Sequence, residues 1–581
     1  MNSLHDQVLT NIEDVWTIIN SLYMIYCTSL LPLAMIGIAL FYSGLTQRRS
    51  SLTMLALPVF LTPFILIEWF IWGYSLCYSS SSNHFIGDLN FAVLRHMRDS
   101  VTNNYNTPRG EIWLINHFLF NGFMKVICVC LTFPGCIAER GRILPMVVFV
   151  FFWSAIIYNP VTYWFWNREG WLSVELNSLP VLDFAGGNCV HIVSGFTALA
   201  YSYILGPRNP KILYDYRSTN TGYIIIGTFF MICGWCGFVA GCDYKFTIES
   251  LYIILNVLLC ASTSGIIWML IDYYFSAIPL EGAPIESALS THRDKIHVLR
   301  TSSTNIRTIP SATGVSINQH YHDTKSNFVQ RRKISIISFS SGIVTGLAVI
   351  TPGGGYVSSP TDFWKSFVFG VLGGIIVNLS TRLKYFVQID DALDIFAIHG
   401  VAGILGSLLT GIFANERYNS KGGWVKGHWI QLGYQLLGCT VTAAYVFVLS
   451  CVFLYCIDLV PGLHLRMDKT FNQRMREERE RAQAESTESP TSVDIEEQFV
   501  SHNTNEITYL EKLELLGTDC YEFNGEYFMD FMEFIKVIRP QDYPFDQFTE
   551  ETETQYDSVN AIGSDYQLHP EGVNHLARKG E

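Results

Sequence analysis

From residue 21 to residue 460 the chain alternates long apolar tracts with short polar segments, and beyond that point it turns polar. The tracts fall at roughly 21–44, 53–77, 113–137, 143–166, 183–205, 221–242, 248–275, 334–351, 364–381, 391–414 and 430–458. Each comes close to the ~20 residues that a helix needs to cross a bilayer core. The pattern predicts an all-α polytopic membrane protein with about eleven transmembrane helices. The polar segments then set its orientation. Alternate loops, beginning after the first tract, carry Arg48 and Arg49, then Arg140 and Arg142, then Arg208, Lys211 and Arg217, then the stretch from Arg293 to Lys333, then Arg382 and Lys384. The intervening loops are poor in Lys and Arg. The positive-inside rule therefore places the N-terminus outside and the C-terminus in the cytosol, as an odd number of spans requires.

Composition sharpens this picture. Of 581 residues, 49% are hydrophobic and only 15% charged, as expected of a membrane protein with polar appendages. The net charge of −13 does not describe the membrane part, because the acids concentrate after Leu465. No basic domain with interleaved aromatics is present, so no nucleic-acid partner is expected. Most of the 14 cysteines lie in apolar tracts and read as small packing residues. Cys233 and Cys236 form a CxxC motif, but a redox or zinc role needs solvent access and partners that this tract lacks. No cofactor or metal is expected. No nucleophile–base set appears either, which argues against an enzyme. The N-terminus lacks a cationic segment before an apolar core, so no cleaved signal peptide is expected.

Three regions follow. Residues 1–20 read as an extracellular tail and 21–460 as the membrane domain. That domain is interrupted by a polar cytosolic loop at 281–332 with little apolar periodicity. His320 and His322 in this loop read as a solvated pair rather than a metal site. Residues 461–581 read as a cytosolic regulatory region. Its stretch "MREERERAQAESTESPTSVDIEEQ" is a charged linker and a candidate phosphorylation cluster, for which a kinase or signalling protein is the expected partner.

Two apolar tracts hold residues that hydrocarbon disfavours. "LDFAGGNCVHIVSG" carries Asp183 and His191, and "DDALDIFAIHGVAGILGSLLTGIFA" carries Asp394 and His399. An ionisable group there costs roughly 2.5–3.5 kcal/mol on insertion scales, so it ordinarily lines a pathway or a buried contact. The tracts are the fifth and the tenth. If the first ten form two repeats of five, the repeats are inverted and the histidines face each other near the midplane, a transporter architecture. Neutral imidazoles pass protons and hydrogen bonds without fixing a permanent charge, which suits a small, polar, proton-exchanging substrate. Asp183 also precedes "AGG" as a helix cap would.

These two tracts resemble the signatures of the ammonium transporter, methylammonium permease and Rhesus family. "LFYSGLTQRR", "EWFIWGYSL", "AERGRILPMVVF", "YNPVTYWFWNREGWL", "GWCGFVAG" and "ITPGGGYVSS" follow the same family in order, and "LELLGTDCYEFNGEYF" is similar to its cytosolic C-terminal motif. "NREGWL" and "GGWVKGHWIQLGYQLLG" are most similar to fungal permeases. The resemblance covers roughly residues 20–465. It implies eleven spans in a homotrimer with one pore per subunit, located at the plasma membrane. It also implies electrogenic uptake of ammonium, with methylammonium as a further candidate substrate. In that family the cation is recruited at an outer aromatic vestibule and deprotonated, and ammonia crosses an apolar pore past twin histidines. By position, His191 and His399 are those histidines, Trp166 is the vestibule tryptophan and Phe238 a gate. Asp183 supports the recruitment site without touching substrate, and Asp394 is its counterpart in the second repeat.

The chain also departs from the family. Cys242 stands where a small hydroxyl residue is usual, and a thiol accepts hydrogen bonds weakly. The outer gate position aligns with Met124 from one side and with Lys125 from the other. Glu68 replaces the usual glutamine or apolar residue before the tryptophan of the second span. A methionine still offers an apolar gate, whereas a lysine in the vestibule would repel ammonium or occupy its site. Two readings stay open: a conducting transporter, and an ammonium sensor with an altered vestibule.

Overall fold

The computed structural model describes residues 2–81, 83–97, 112–174, 179–213, 216, 218–275, 278–279, 328–329, 334–416, 421–468, 514 and 517–523. All of them lie within one unit, Met1–Gly525; the second unit, Glu526–Glu581, is outside the described residues. The long helices are α1 (Asn2–Leu45), α2 (Arg48–Tyr78), α3 (Leu114–Ile137), α4 (Ile143–Trp166), α5 (Gly187–Leu205), α6 (Thr221–Gly241), α7 (Ile248–Phe275), α8 (Ile336–Ile350), α9 (Phe363–Ser380), α10 (Phe396–Phe413) and α11 (Ile430–Asp458). Ten of these are long and apolar enough to cross a membrane. The other, α8, has 15 residues and coincides with the eighth expected tract. The first helix begins at Asn2 instead of near residue 21, so the segment expected as a tail continues α1. Residues 280–327 of the insertion, with His320 and His322, are outside the described residues, while Ile278 and Pro279 pair antiparallel with Val329 and Phe328.

The helices divide their apolar surface between each other and the outside. On α2, Leu57, Leu61 and Ile65 are buried, while Val59, Phe60, Phe64 and Ile67 stay exposed. An apolar outward face is what a helix presents to lipid. Close helix crossings rest on small residues. A Cβ on Gly37 of α1 would lie 2.6 Å from the Met231 nitrogen of α6, and one on Gly227 would lie 2.6 Å from the Gly37 carbonyl. Backbones that approach this closely gain dispersion energy in a solvent that offers no hydrophobic drive between helices.

An ionic network ties together the loops after α3 and α5 and the loop before α10. Arg208 donates through Nε and Nη2 to Asp390 at 2.8 and 2.9 Å and through Nη1 to Glu139 at 2.6 Å. Arg140 donates to the Asp390 carbonyl at 2.6 Å and to the Gly206 carbonyl at 2.8 Å. Burial alone would raise the Asp390 pKa, but the Arg208 hydrogen bonds and the two guanidinium charges hold it well below the ordinary carboxylate range. The C-terminal motif docks nearby. Glu514 forms a bidentate pair with Arg466 (2.9 and 2.5 Å), and Asp519 accepts from the Leu52 and Thr53 nitrogens (2.9 and 2.7 Å) at the start of α2. Glu522 accepts from the Ile143 nitrogen at 3.0 Å. Carboxylates at these two helix N-termini satisfy donors that no helical carbonyl reaches.

Candidate functional site

Four π-turns interrupt the described helices, at Trp69–Gly73, Ser154–Tyr158, Gly187–Ile192 and Phe396–Val401. A π-turn adds one residue to a helical turn and re-aims the side chains around it, which is why such turns recur at functional sites. The last two carry His191 and His399. The two turns meet where α5 and α10 cross, and a Cβ on Gly195 would lie 2.2 Å from the Gly400 nitrogen. Glycine at that crossing lets the two imidazoles reach each other.

They do so closely. His191 Nδ1 and His399 Nδ1 are 3.2 Å apart, and the rings stack 5° from parallel with centroids 5.2 Å apart. Both residues are buried, His191 at 0% and His399 at 1% exposure. A hydrogen bond between two Nδ1 atoms needs one proton. One neutral ring therefore carries its hydrogen on Nδ1 and the other on Nε2. The pair consequently shows one accepting and one donating Nε2, and His191 Nε2 has no protein partner among the described residues. Beyond His191 the stack continues through Trp235, with centroids 5.9 Å apart, to Phe238, 4.9 Å from Trp235. Trp235 Nε1 donates to the Leu347 carbonyl and to Thr351 Oγ1, both at 3.1 Å, which fixes its ring.

Asp183 caps the start of α5. Its carboxylate accepts from the nitrogens of Gly186, Gly187, Asn188 and Cys189 at 2.8, 2.6, 2.7 and 3.3 Å. Gly186 adopts φ +112°, a conformation that admits glycine without strain and turns the chain back over the carboxylate. The preceding strand-like segment is held by Gln435, which exchanges hydrogen bonds with both backbone groups of Leu182 at 2.7 Å. Trp166, half-buried, donates its indole N–H to the Asp183 carbonyl at 3.0 Å, so the cap also orients this ring. Asp183→Ala strands these four N–H groups and should lower stability by about 3 kcal/mol. Thermal unfolding in detergent reads this loss, and Asp183→Asn, which keeps one acceptor, should lose less. An unchanged midpoint for the alanine variant removes the capping role.

In the second repeat the equivalent position is Asp391, not Asp394. Asp183 precedes His191 by eight residues and Asp391 precedes His399 by eight. Asp391 Oδ2 accepts from the Phe396 nitrogen at 2.7 Å, at the start of the π-turn, as Asp183 does in α5. Asp394 instead pairs with Lys384 at 2.8 Å. Matching the eight-residue spacings would have found Asp391 in the sequence.

The three departures resolve differently. Cys242 is buried and its Sγ donates to the Phe238 carbonyl at 3.3 Å. Met124 is buried in the main apolar core. Lys125 and Glu68 turn out to be partners: their ion pair closes at 2.5 Å, with both side chains at 3% exposure or less. Asn159, which sequence reasoning passed over, completes the group by accepting from Lys125 at 2.7 Å and donating to Glu68 at 3.0 Å.

Known proteins share this architecture. The profile of the Ammonium Transporter Family matches residues 22–280 and 303–480. Ammonium transporter 1 of Schizosaccharomyces pombe is 33% identical over 473 residues, which cover 80% of this chain and 81% of that protein. Ammonium transporter MEP2 of Saccharomyces cerevisiae is 32% identical over 446 residues, covering 74% of this chain and 76% of the relative. The crystal structure of Saccharomyces cerevisiae Mep2 superposes with a TM-score of 0.61 at 30% identity, covering 78% of this chain and 88% of that one. The Candida albicans Mep2 structure gives 0.62 at 29% identity, covering 78% and 86%. A structure described as a sensor Amt protein, 22% identical with a TM-score of 0.61, shares the fold. A match of this extent, over helices that carry the paired histidines and the capped π-turns, makes the chain a member of the ammonium transporter family.

Proposed function

We propose that the protein conducts ammonium by recruiting the cation at Trp166 and Cys242, deprotonating it, and passing ammonia between Phe238, Met124 and the His191–His399 pair. The observation that carries this reading is the Nδ1–Nδ1 contact of the two buried imidazoles. Opposed tautomers present one donor and one acceptor, and this is the hydrogen-bonding demand of ammonia, which both donates and accepts. Trp166 supplies an aromatic face to the cation, worth about 0.5–2 kcal/mol as desolvation grows. The Asp183 main-chain carbonyl holds that tryptophan through its indole N–H, and the capping carboxylate of the same residue adds negative potential without contacting the substrate. The Lys125 charge is engaged by Glu68 and Asn159, which supports Met124 as the gate residue and removes the main physical argument for a blocked vestibule.

The same reading places the N-terminus outside and 461–581 in the cytosol as the regulatory region. It assigns a trimeric assembly in the plasma membrane. The docked C-terminal motif at Glu514 and Asp519 supports the placement of that region on the Arg-bearing face.

Ammonium-evoked current in proteoliposomes holding the full-length protein tests the proposal. The wild type should conduct. Cys242→Ser adds a hydroxyl acceptor worth about 0.5–1.5 kcal/mol, so half-maximal current should come at an ammonium concentration lower by up to roughly tenfold. A silent wild type that still binds ammonium would overturn conduction in favour of the sensor. An unchanged concentration dependence in Cys242→Ser would remove Cys242 from the recruitment site.

A further inference from the structure

The two remaining π-turns serve neither histidine. Trp69–Gly73 begins immediately after Glu68, and Ser154–Tyr158 ends immediately before Asn159. Together they surround Lys125 of α3. The Lys125 ammonium donates to the Glu68 carboxylate and to Asn159 Oδ1, and it lies 5.2 Å from the ring centroids of both Trp69 and Tyr158. Both separations are within the roughly 6 Å over which a ring face attracts a cation. Lys125 and Asn159 are 0% exposed, Trp69 and Tyr158 1%, and Glu68 3%.

Every wall of this cage is fixed independently of the lysine. The Asn159 amide donates to Glu68 Oε1, which orients its oxygen toward the ammonium. Trp69 Nε1 donates to the Phe118 carbonyl at 3.0 Å, and Tyr74 packs edge-on against the Trp69 ring. Gly122 leaves the room this ring needs, since a Cβ there would lie 2.9 Å from the indole. Tyr158 rests against Trp153. A carboxylate, an amide oxygen and two aromatic faces around one positive nitrogen make a general recognition chemistry for R–NH3+ groups.

We propose that Glu68, Asn159, Trp69 and Tyr158 form a second cation site, specific for primary ammonium groups, which this chain fills with its own Lys125. The lysine is a tethered ligand. It neutralises Glu68 inside the membrane domain and closes the cage to free cations. The site is separate from the His191–His399 pair and does not depend on conduction through it. Shortening the lysine to alanine removes three methylenes and the amine, and this leaves a cavity matched to propylammonium beside an unpaired carboxylate.

Chemical rescue tests this. Full-length wild type, Lys125→Ala and Lys125→Ala/Glu68→Leu are purified in detergent, and thermal unfolding is followed against n-propylammonium chloride, with tetramethylammonium chloride at equal concentration as control. The Lys125→Ala midpoint should fall by about 10 °C and recover at least half of that loss, saturably, with propylammonium only. Wild type and the double variant should not respond. Should Lys125→Ala be recovered folded only when propylammonium is present throughout growth and extraction, the proposal stands equally. It is overturned if propylammonium does nothing for Lys125→Ala, if tetramethylammonium acts as well as propylammonium, if the double variant responds equally, or if Lys125→Ala cannot be recovered even in propylammonium while the double variant can.

Discussion

His191→Ala and His399→Ala should each abolish the ammonium-evoked current of reconstituted protein while leaving its amount in the membrane unchanged. Each substitution deletes one half of the 3.2 Å Nδ1–Nδ1 contact. The surviving imidazole then has no partner to fix its tautomer, and the paired donor and acceptor Nε2 atoms no longer coexist. His191→Ala also opens an apolar gap beside Trp235, where no group replaces the hydrogen bonds of a passing ammonia. The expected loss is at least about a hundredfold, the scale of ~2.7 kcal/mol for one or two missing hydrogen bonds in a dry site. Wild-type current in both variants removes the histidine pair from the transport path. Current lost in only one of them would show that a single imidazole carries the step and that the pairing is structural.

Glu68→Ala should be among the most destabilising substitutions in the membrane domain. It leaves the Lys125 ammonium buried, held only by Asn159 and two ring faces. Breaking one side of a buried ion pair costs about 3–5 kcal/mol, because the remaining charge has neither water nor a counter-ion. In contrast, Glu68→Leu/Lys125→Leu removes both charges together, and such replacements are often neutral or stabilising. The double variant should therefore unfold within a few degrees of wild type, well above Glu68→Ala. Thermal unfolding of the three proteins in one detergent decides it. A Glu68→Ala midpoint equal to wild type would mean that Lys125 escapes to a solvated position and that the ion pair contributes nothing.

Much of the architecture is legible along the chain because the bilayer imposes a simple constraint. A span must be apolar for about twenty residues, so the tracts and helices α1–α11 coincide within a few residues at most ends. The exception at the N-terminus has the same origin. Polar residues before Val15 satisfy no hydropathy criterion, yet nothing in "NSLHDQVLTNIEDV" breaks a helix, and α1 runs back to Asn2. The histidines, Asp183 and the family motifs were equally readable, since an ionisable residue in an apolar tract announces itself.

Contacts between tracts were not readable in that way. Glu68 and Lys125 each stood out as an isolated departure, one a misplaced acid and the other a threat to the vestibule. They are 57 positions apart, and Asn159 lies another 34 further on. Only the packing of α2, α3 and α4 turns two anomalies into one neutral cage. The choice between Met124 and Lys125 has the same character, because adjacent residues on a helix point about 100° apart and the π-turns decide what each meets. Asp394, the acid nearer to His399, pairs with Lys384, and it is Asp391 that accepts from the Phe396 nitrogen five residues on, a division of partners that the sequence pattern alone does not display. Hydropathy and residue type are local properties and travel with the sequence. Charge compensation, tautomer pairing and the orientation of a ring depend on atoms brought together from distant tracts, and so they belong to the tertiary structure.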